Sequence, residues 1–236
     1  MEDCLLKPND RITLTANIDV SDRAASLIEE FDQQDFFGDM MDGKMTTVIP
    51  VVSDGDLPAD WTIGLIYGPS GTGKSSQIAH LNLKPARMSR AVKPICDIIP
   101  NDEVLFAAGM NNLLANLRPY FALSNGQKHR VDIALALHKA MTSDKTYVVD
   151  EFTSVLDRHA AYAVCAGINT LRKRNDFKGR LVFATPHDDI AEWMGTDWEY
   201  NLGLQEYQVE RRSGTRRDYS LSLFDDSSSQ DQERQD

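Results

Sequence analysis

The segment GPSGTGKS (68–75) constrains the fold of this chain more than any other. It matches the pattern G-x-x-x-x-G-K-[ST] and stands between an apolar segment, TIGLIY, and a helix-forming segment, SSQIAHL. In this setting the glycines let the backbone fold around phosphate oxygens with its N–H groups pointing inward. The alternative is a glycine-rich turn that matches by chance, but the flanking strand and helix and an acidic strand end downstream favour the phosphate-binding loop (P-loop).

Two side chains of the P-loop have a predicted chemical role. Lys74 supplies a compact positive charge for the β- and γ-phosphates of a nucleotide, and the hydroxyl of Ser75 is a ligand for Mg²⁺. The candidate nucleotide-binding residues of this segment are Gly68, Pro69, Ser70, Gly71, Thr72, Gly73, Lys74, Ser75 and Ser76.

The rest of the central region alternates strands and helices. KTYVVD (145–150) and RLVFAT (180–185) are near-continuous apolar runs, which is typical of strands buried on both faces of a parallel sheet. Between them, an apolar stripe with helical spacing predicts a helix that ends in a basic cluster, Arg172 to Arg174. This alternation predicts right-handed crossovers and a doubly wound α/β sheet, closed by a hairpin within 199–210.

The first sixty residues favour a partly antiparallel β region. RITLTANI (11–18) alternates apolar and polar residues and predicts a half-buried strand, and MTTVIPVV (45–52) predicts a second strand at an edge because it contains Pro50. Ser21 is a candidate helix cap, and the acidic, glycine-punctuated segment 32–44 predicts a loop. Further along, PICD (94–97) predicts a short strand that ends at Asp97.

Composition limits the functional classes. The chain has 236 residues and a formal net charge of −11, which argues against binding nucleic acid or anionic membranes through bulk charge. Its three cysteines form no CxxC motif and predict neither a disulfide nor a zinc site. No apolar run reaches the length of a membrane span, so we expect a soluble, cytoplasmic protein without direct membrane insertion. The arginines within 211–217 indicate either a solvated hairpin end or a local nucleic-acid contact.

Two adjacent carboxylates follow the predicted strand YVV. Asp150 stands where the strand ends, at the edge of the sheet where ligands of open α/β folds bind, and its carboxylate can hold Mg²⁺. Glu151 comes directly after it and can take a proton from an attacking water. We therefore predict Asp150 as a metal-binding residue and Glu151 as the general base.

The segment LSNGQKHRVDIALAL (123–137) predicts a second anion-binding feature. A short polar turn precedes an amphipathic helix, whose first N–H groups and positive dipole end suit an anion. The residues of this turn, here called the signature turn, are Ser124, Asn125, Gly126 and Gln127.

Taken together, GPSGTGKS, LSNGQKHRVDIALAL, VVDEFTSVLD and TPHDD occur in the order found in ATP-binding cassette (ABC) ATPases, and the chain resembles that family over about residues 45–210. The resemblance implies a head-to-tail homodimer in which each ATP lies between the P-loop of one copy and the signature turn of the other. It also implies that Ser154 and Asp157 line the interface beside the attacking water, and that His187 contacts the γ-phosphate and supports the catalytic carboxylate.

The sequence departs from the family pattern at three places. Asn125 replaces a glycine of the signature turn, so asparagine must adopt the backbone conformation of that turn. Asparagine accepts unusual φ angles better than most residues. No glutamine occurs from Ile78 to Asn125, so Asp97 is the candidate metal-binding substitute. The stretch between the P-loop and the signature turn is short for a transporter subunit, which makes a transmembrane partner less favoured.

The resemblance implies a fold class and a domain division. The fold is a P-loop NTPase of ABC type, α/β with a mostly parallel sheet flanked by helices, an N-terminal antiparallel β region and a reduced helical subdomain. One ATPase domain spans 1–224, made of the β region 1–60, a P-loop core 61–80 and 140–210, and a helical and signature subdomain 81–139. Residues 225–236 are expected to be a disordered acidic tail.

Three functions remain open from the sequence. The first is a soluble ATPase that requires ATP and Mg²⁺, dimerises with itself and drives an unidentified protein or nucleic-acid partner. The second is the nucleotide-binding subunit of a membrane transporter, and the third is an ATP-sensing module with little hydrolysis. A finer likeness is to soluble bacterial and phage ABC ATPases, some fused to an acetyltransferase-like domain. Adenine-stacking candidates are Phe36, Phe37 and Trp61, although core or loop packing is the favoured role for each of them.

Overall fold

The computed structural model describes residues 5–6, 8–17, 21, 23, 44–88, 92–204 and 206–209. Their strands are β1 (Leu5–Leu6), β2 (Asp10–Asn17), β3 (Lys44–Val51), β4 (Ile63–Tyr67), β5 (Lys84–Pro85), β6 (Thr146–Val149), β7 (Arg180–Thr185), β8 (Trp198–Asn201) and β9 (Glu206–Val209). Their α-helices are α1 (Lys74–His80), α2 (Ile95–Ile98), α3 (Asp102–Ala107), α4 (Leu113–Asn116), α5 (Asn125–Thr142), α6 (Arg158–Arg174) and α7 (Ile190–Met194). Two 3₁₀ helices, Asp54–Asp56 and Tyr120–Ala122, complete the set.

The main sheet of the described residues has the strand order β1-β9-β8-β4-β7-β6-β5. The five strands from β8 to β5 run parallel, whereas β9 and β1 continue the sheet antiparallel. A separate two-stranded antiparallel sheet pairs β2 with β3. The predicted fold class, α/β with a mostly parallel sheet flanked by helices and an N-terminal antiparallel region, is confirmed.

Both faces of the main sheet are buried, which explains the near-continuous apolar runs of its central strands. Leu181 and Phe183 of β7 pack in one core with the apolar stripes of α5 and α6. Val182 and Ala184 point to the other core, which contains Ile78 of α1 and the end of β3. Successive residues of a strand face opposite sides of the sheet, so the two cores lie on its two faces. The small β2–β3 sheet and α1 cover the face that α5 and α6 leave open.

The structure corrects the prediction of a half-buried strand in RITLTANI. The strand exists as β2, but among the described residues it pairs only with β3, and of its inward set Ile12 is half-buried while Leu14 is 42% exposed. Strand alternation therefore predicted the conformation and overestimated the burial. The second strand, β3, is confirmed with Pro50 in a two-stranded sheet, where both strands are edges.

A second correction concerns PICD. These residues form no strand, because Ile95–Ile98 is the short helix α2, which is held by a hydrogen bond from the Ile95 N–H to the Arg118 carbonyl at 3.1 Å. Asp97 is therefore exposed on a helical turn and does not end a strand of the sheet. Four apolar letters were too few to separate a strand from one helical turn.

The closing hairpin is confirmed as β8 and β9, and it fixes the position of Trp61. Trp198 of β8 lies against Gly64, where an added Cβ would come within 2.1 Å of the indole. Trp61 packs edge-on against Trp198 with 5.4 Å between ring centroids, and the Arg180 guanidinium lies 4.9 Å from the Trp61 ring. Trp61 is thus core packing, the alternative to adenine stacking.

Several predictions fall outside the described residues: the helix after Ser21, the candidates Phe36 and Phe37, the arginines within 211–217 and the tail 225–236. The predicted loop 32–44 also lies outside them except for Lys44, which begins β3. Within the part of the chain that the structure describes, no helix combines the length and the apolar character that a membrane span requires.

A buried ion pair fixes the start of β4, the strand that leads into the P-loop. The Asp197 carboxylate accepts hydrogen bonds from the N–H groups of Thr62 at 2.6 Å and Ile63 at 3.0 Å. Arg172, from the last turn of α6, donates to the same carboxylate at 2.5 Å and to the Gly195 carbonyl at 2.8 Å. The basic end of α6 therefore does more than complement the helix dipole.

We expect Asp197→Asn to lower the free energy of unfolding at pH 7 by about 2–4 kcal/mol, because Arg172 loses its charged partner. Burial alone would raise the pKa of Asp197, but the Ile63 and Thr62 N–H groups and Arg172 together lower it below its ordinary value. The stabilisation is therefore present above the ordinary carboxyl pKa and is lost as the pH falls through the lower folded value. Urea unfolding of both proteins should show a difference that narrows under acid, whereas the exposed Asp176→Asn should change little at any pH.

Candidate active site

The P-loop has the backbone conformation that its glycines predict. Gly71 and Gly73 have φ angles of 84° and 101°, in the left-handed region that residues other than glycine rarely adopt. Gly73 is also the residue from which α1 begins, and an added Cβ there would come within 2.8 Å of the Ile49 side chain. The loop is thus held both by conformation and by the strand packed beside it.

Lys74 lies inside the P-loop. Its side chain is 8% exposed, and its Nζ donates to the carbonyls of Gly68 at 2.7 Å and Pro69 at 2.8 Å. The Thr72 hydroxyl also donates to the Pro69 carbonyl, at 2.9 Å. The ammonium group is therefore fixed within the turn, where an anion entering the loop would meet it.

Sequence reasoning missed Gln77, which attaches the P-loop helix to the N-terminal sheet. Its fully buried side-chain amide accepts from the Val52 N–H at 3.0 Å and donates to the Val52 carbonyl at 2.6 Å. Together with the contact of Ile49 on Gly73, these bonds fix the angle at which α1 leaves the loop. The available signal was a long polar residue on the apolar face of a short helix.

Asp150 and Glu151 follow β6 at the same edge of the sheet as the P-loop. The strands β4, β7 and β6 are adjacent and parallel, and the Gly68 N–H donates to the Thr185 carbonyl of β7 at 3.3 Å. Glu151 has a φ of 54°, a conformation that costs a residue with a side chain about 1 kcal/mol or more. The strained turn is held by the Glu151 N–H donating to the Asp150 carboxylate at 2.9 Å and by the Phe152 N–H donating to the Ala184 carbonyl.

The loop after Glu151 leads into α6. Asp157 is the N-cap of α6, where its carboxylate accepts from the Ala160 N–H at 2.8 Å, and the Ser154 hydroxyl donates to the Glu151 carbonyl at 2.9 Å. Both residues thus have a role within their own chain. Between them the apolar side chain of Val155 is 47% exposed.

His187 lies at the same edge, after β7. Its Nδ1 is 2.7 Å from the Thr153 hydroxyl, which in turn is 2.7 Å from the Thr185 hydroxyl. The backbone N–H of His187 donates to Thr185 at 3.2 Å. The two threonines were also missed by sequence reasoning, and they connect the histidine to the turn that carries Glu151.

The signature turn forms a helix N-terminus, as predicted. Ser124 is the N-cap of α5, and its hydroxyl accepts from the Gln127 N–H while its own N–H donates to the Gln127 side chain at 3.1 Å. Asn125 does not adopt the unusual φ that the sequence suggested, because it is already in the first helical turn. Gly126 has no φ requirement either, and an added Cβ would meet nothing within 4 Å.

Two contacts fix α5, the helix that begins at the signature turn, relative to the rest of the site. The Tyr120 hydroxyl donates to the Asp132 carboxylate at 2.9 Å, which attaches the segment before the turn to α5. Burial, followed by this bond to Asp132, raises the pKa of Tyr120 to about 12. The His129 ring Nε2 is 2.8 Å from the Phe152 carbonyl, so α5 also contacts the turn that carries Glu151.

The structure therefore brings together the P-loop, Asp150, Glu151 and His187, while the signature turn begins a separate helix. Among the described residues, no hydrogen bond joins residues 124–127 to residues 68–76. Asp97 belongs to α2 in the short helical region, and the argument from a strand end no longer supports it.

No family model matches the sequence, and no curated protein matches it. Solved structures that are similar to the chain include the dimeric cassette of a bacterial ABC transporter, at 16% identity over 64% of this chain and 84% of that one, with a TM-score of 0.43. An ATP-bound bacterial ABC exporter has 16% identity over 68% of this chain and 34% of its own, with a TM-score of 0.41. An archaeal ribosome recycling factor in complex with a ribosomal stalk protein has 20% identity over 64% and 38%, with a TM-score of 0.43.

We expect Gln77→Leu to destabilise the chain by about 2–4 kcal/mol, because both backbone groups of the buried Val52 lose their partner. Nucleotide affinity should fall as well, since α1 is released from β3. Urea unfolding and a nucleotide titration measure the two effects. A matched control is Ala79→Gln, an exposed position on the same helix, which should change neither. Unchanged stability of the Leu variant would contradict the role of Gln77.

Proposed function

We propose that this chain is an ATPase of the ATP-binding cassette type, which binds Mg-ATP, dimerises head to tail around two ATP molecules and hydrolyses them to drive a partner. One observation carries the proposal: the P-loop with Lys74 and the strained turn with Glu151 lie on one edge of a parallel sheet, with His187 between them in strand order. Ligands of open α/β sheets bind at this edge.

Each group at the edge has a role in phosphate transfer to water. The N–H groups of the P-loop surround the phosphates, and the Lys74 ammonium leaves its two carbonyl partners for the β- and γ-phosphates. The Glu151 carboxylate takes a proton from the attacking water, and its left-handed backbone holds it where β6 has ended. His187 donates a hydrogen bond to the γ-phosphate from the adjoining strand end.

The residues at the edge fit Mg²⁺, a cation that prefers oxygen ligands and retains water and phosphate oxygens in its shell. Within the described residues, no group of three or more His, Cys, Asp or Glu side chains forms a metal site by itself. Ser75 and Asp150 would therefore hold the ion together with the nucleotide, and it would neutralise charge that develops on the phosphates. Asp97 stays a prediction as a further ligand.

Dimerisation is supported by features of the signature turn for which the chain itself gives no reason. Glycine in a helix costs about 0.5–1 kcal/mol relative to alanine, yet Gly126 has open space above it. The Ser124 hydroxyl caps the Gln127 N–H, but the N–H groups of Asn125 and Gly126 have no acceptor among the described residues and suit an anion. A phosphate brought by a second copy would explain both, and twofold symmetry would then complete two sites at once. Asp157 and the exposed Val155 would lie at that interface.

The region of short helices between the P-loop and the signature turn, α2 to α4, supports the proposal of a protein partner. Exposed apolar side chains are concentrated there, and the exposed set comprises Val92, Phe106, Leu113, Leu114, Leu117 and Phe121. Such side chains are typical of protein contacts, whereas nucleic acid is bound by basic ones. They fit equally the nucleotide-binding subunit of a membrane transporter, and copurification with a multi-span membrane protein would support that second function.

We expect Glu151→Gln to trap an ATP-bound dimer, because the amide preserves the shape of the side chain but cannot accept the proton. Lys74→Ala should remove ATP binding and remain monomeric. Sizing chromatography with and without Mg-ATP measures both. A Gln variant that stays monomeric at saturating ATP would contradict the proposal, and Glu192→Gln on α7 serves as the matched control.

A further inference from the structure

Two buried threonine hydroxyls form a closed ring of hydrogen bonds with the backbone N–H and the Nδ1 of His187. The ring runs from the His187 backbone N–H to the Thr185 hydroxyl at 3.2 Å, from there to the Thr153 hydroxyl at 2.7 Å, and back to Nδ1 of the same histidine at 2.7 Å. Thr153 is 4% exposed and Thr185 is fully buried, so their hydroxyl protons need partners within the protein. His187 itself is exposed.

Only one direction around the ring gives every proton an acceptor. In this direction the Thr185 hydroxyl accepts from the His187 backbone N–H and donates to the Thr153 hydroxyl. The Thr153 hydroxyl then donates to the unprotonated Nδ1 of the His187 imidazole. In the opposite direction Nδ1–H donates to Thr153, Thr153 donates to Thr185, and the buried Thr185 proton has no acceptor among these groups. A buried hydroxyl proton without an acceptor is unfavourable, which selects the first direction.

We propose that Thr153 and Thr185 are positioning residues that hold the neutral His187 ring as the Nε2–H tautomer. The donor then lies across the ring from the bonded Nδ1. A neutral ring of this tautomer presents a hydrogen-bond donor to an anionic oxygen, whereas the other tautomer presents a lone pair. The functional consequence rests on the proposed function: His187 is ready to bind the γ-phosphate without first gaining a proton.

This ring of hydrogen bonds also joins two segments of the site, the turn after β6 and the end of β7. Thr153 is on the turn that carries Glu151, and Thr185 ends β7 beside the P-loop, whose Gly68 N–H donates to the Thr185 carbonyl. A displacement of the turn would therefore move the hydroxyl that fixes the histidine. Through Thr153, the orientation of His187 therefore depends on the position of the turn that carries Glu151.

Long-range ¹H–¹⁵N spectra of the full chain with ¹⁵N-labelled histidine test the tautomer directly. The chain has five histidines, and His187→Gln assigns the signal of interest by its loss. We expect the Nε2–H pattern for His187 at a pH where the ring is neutral, without nucleotide. An Nδ1–H pattern would overturn the proposal, and this readout requires no substitution in the buried ring.

Thr153→Val and Thr153→Ser then test the positioning role. The Val variant removes the donor to Nδ1, so the Nδ1–H form should appear and kcat should fall roughly tenfold with KM changed less than about twofold. The Ser variant keeps the hydroxyl and should restore both, while the exposed Thr170→Val should resemble the unsubstituted protein. An unchanged tautomer in Thr153→Val would overturn the positioning role. A correct tautomer in a chain without ATPase activity would instead contradict the proposed function alone.

Discussion

Backbone N–H groups without acceptors in their own chain are the constraint from which the site of this protein follows. In the P-loop, Gly71 and Gly73 are at positive φ, and their N–H groups have no acceptor among the described residues. At the start of α5 the Ser124 hydroxyl caps the Gln127 N–H, which leaves the N–H groups of Asn125 and Gly126 without an acceptor there. Unpaired N–H groups need water or an anion. Two such sets on separate elements suit an anion, and in the proposed dimer one nucleotide would satisfy both.

The small N-terminal sheet has its structural role at the P-loop. Its strand β2 is largely exposed, whereas β3 contributes Ile49 and Val51 to the core. Its other strand, however, places Ile49 against Gly73 and offers the Val52 backbone to Gln77. The sheet therefore restrains the one helix whose angle determines the shape of the P-loop.

The features that depend on local pattern could be predicted from the sequence. The buried strands β6 and β7, the stripe of α6 and the P-loop each follow from periodicity or from glycine geometry within a single segment, and the structure confirms them. Features that depend on the neighbour of a segment could not be predicted. Alternation in β2 does not reveal that only one strand pairs with it, and four apolar letters in PICD fit a helical turn as well as a strand.

The site shows the same limit. Glu151 could be proposed from its position after a strand and His187 from its place in the motif order, but their restraints come from distant parts of the sequence. Thr153 and Thr185 meet only because β6 and β7 are adjacent. The carboxylate could be named from the sequence, whereas the positive φ that sets its direction could not. Residues that act by touching a ligand have motifs, and residues that act by holding those residues do not.

The central claim is that each hydrolytic site is shared between two copies, and mixing two inactive variants tests it most directly. Lys74→Ala damages the P-loop, and Gly126→Leu blocks the signature turn at a position where the isolated chain has room for a side chain. A mixed dimer would contain one undamaged site, assembled from the P-loop of one variant and the signature turn of the other. The account predicts that an equal mixture recovers on the order of a quarter of the unsubstituted ATPase activity. A mixture as inactive as its two components, or a Gly126→Leu chain that is fully active alone, would contradict it.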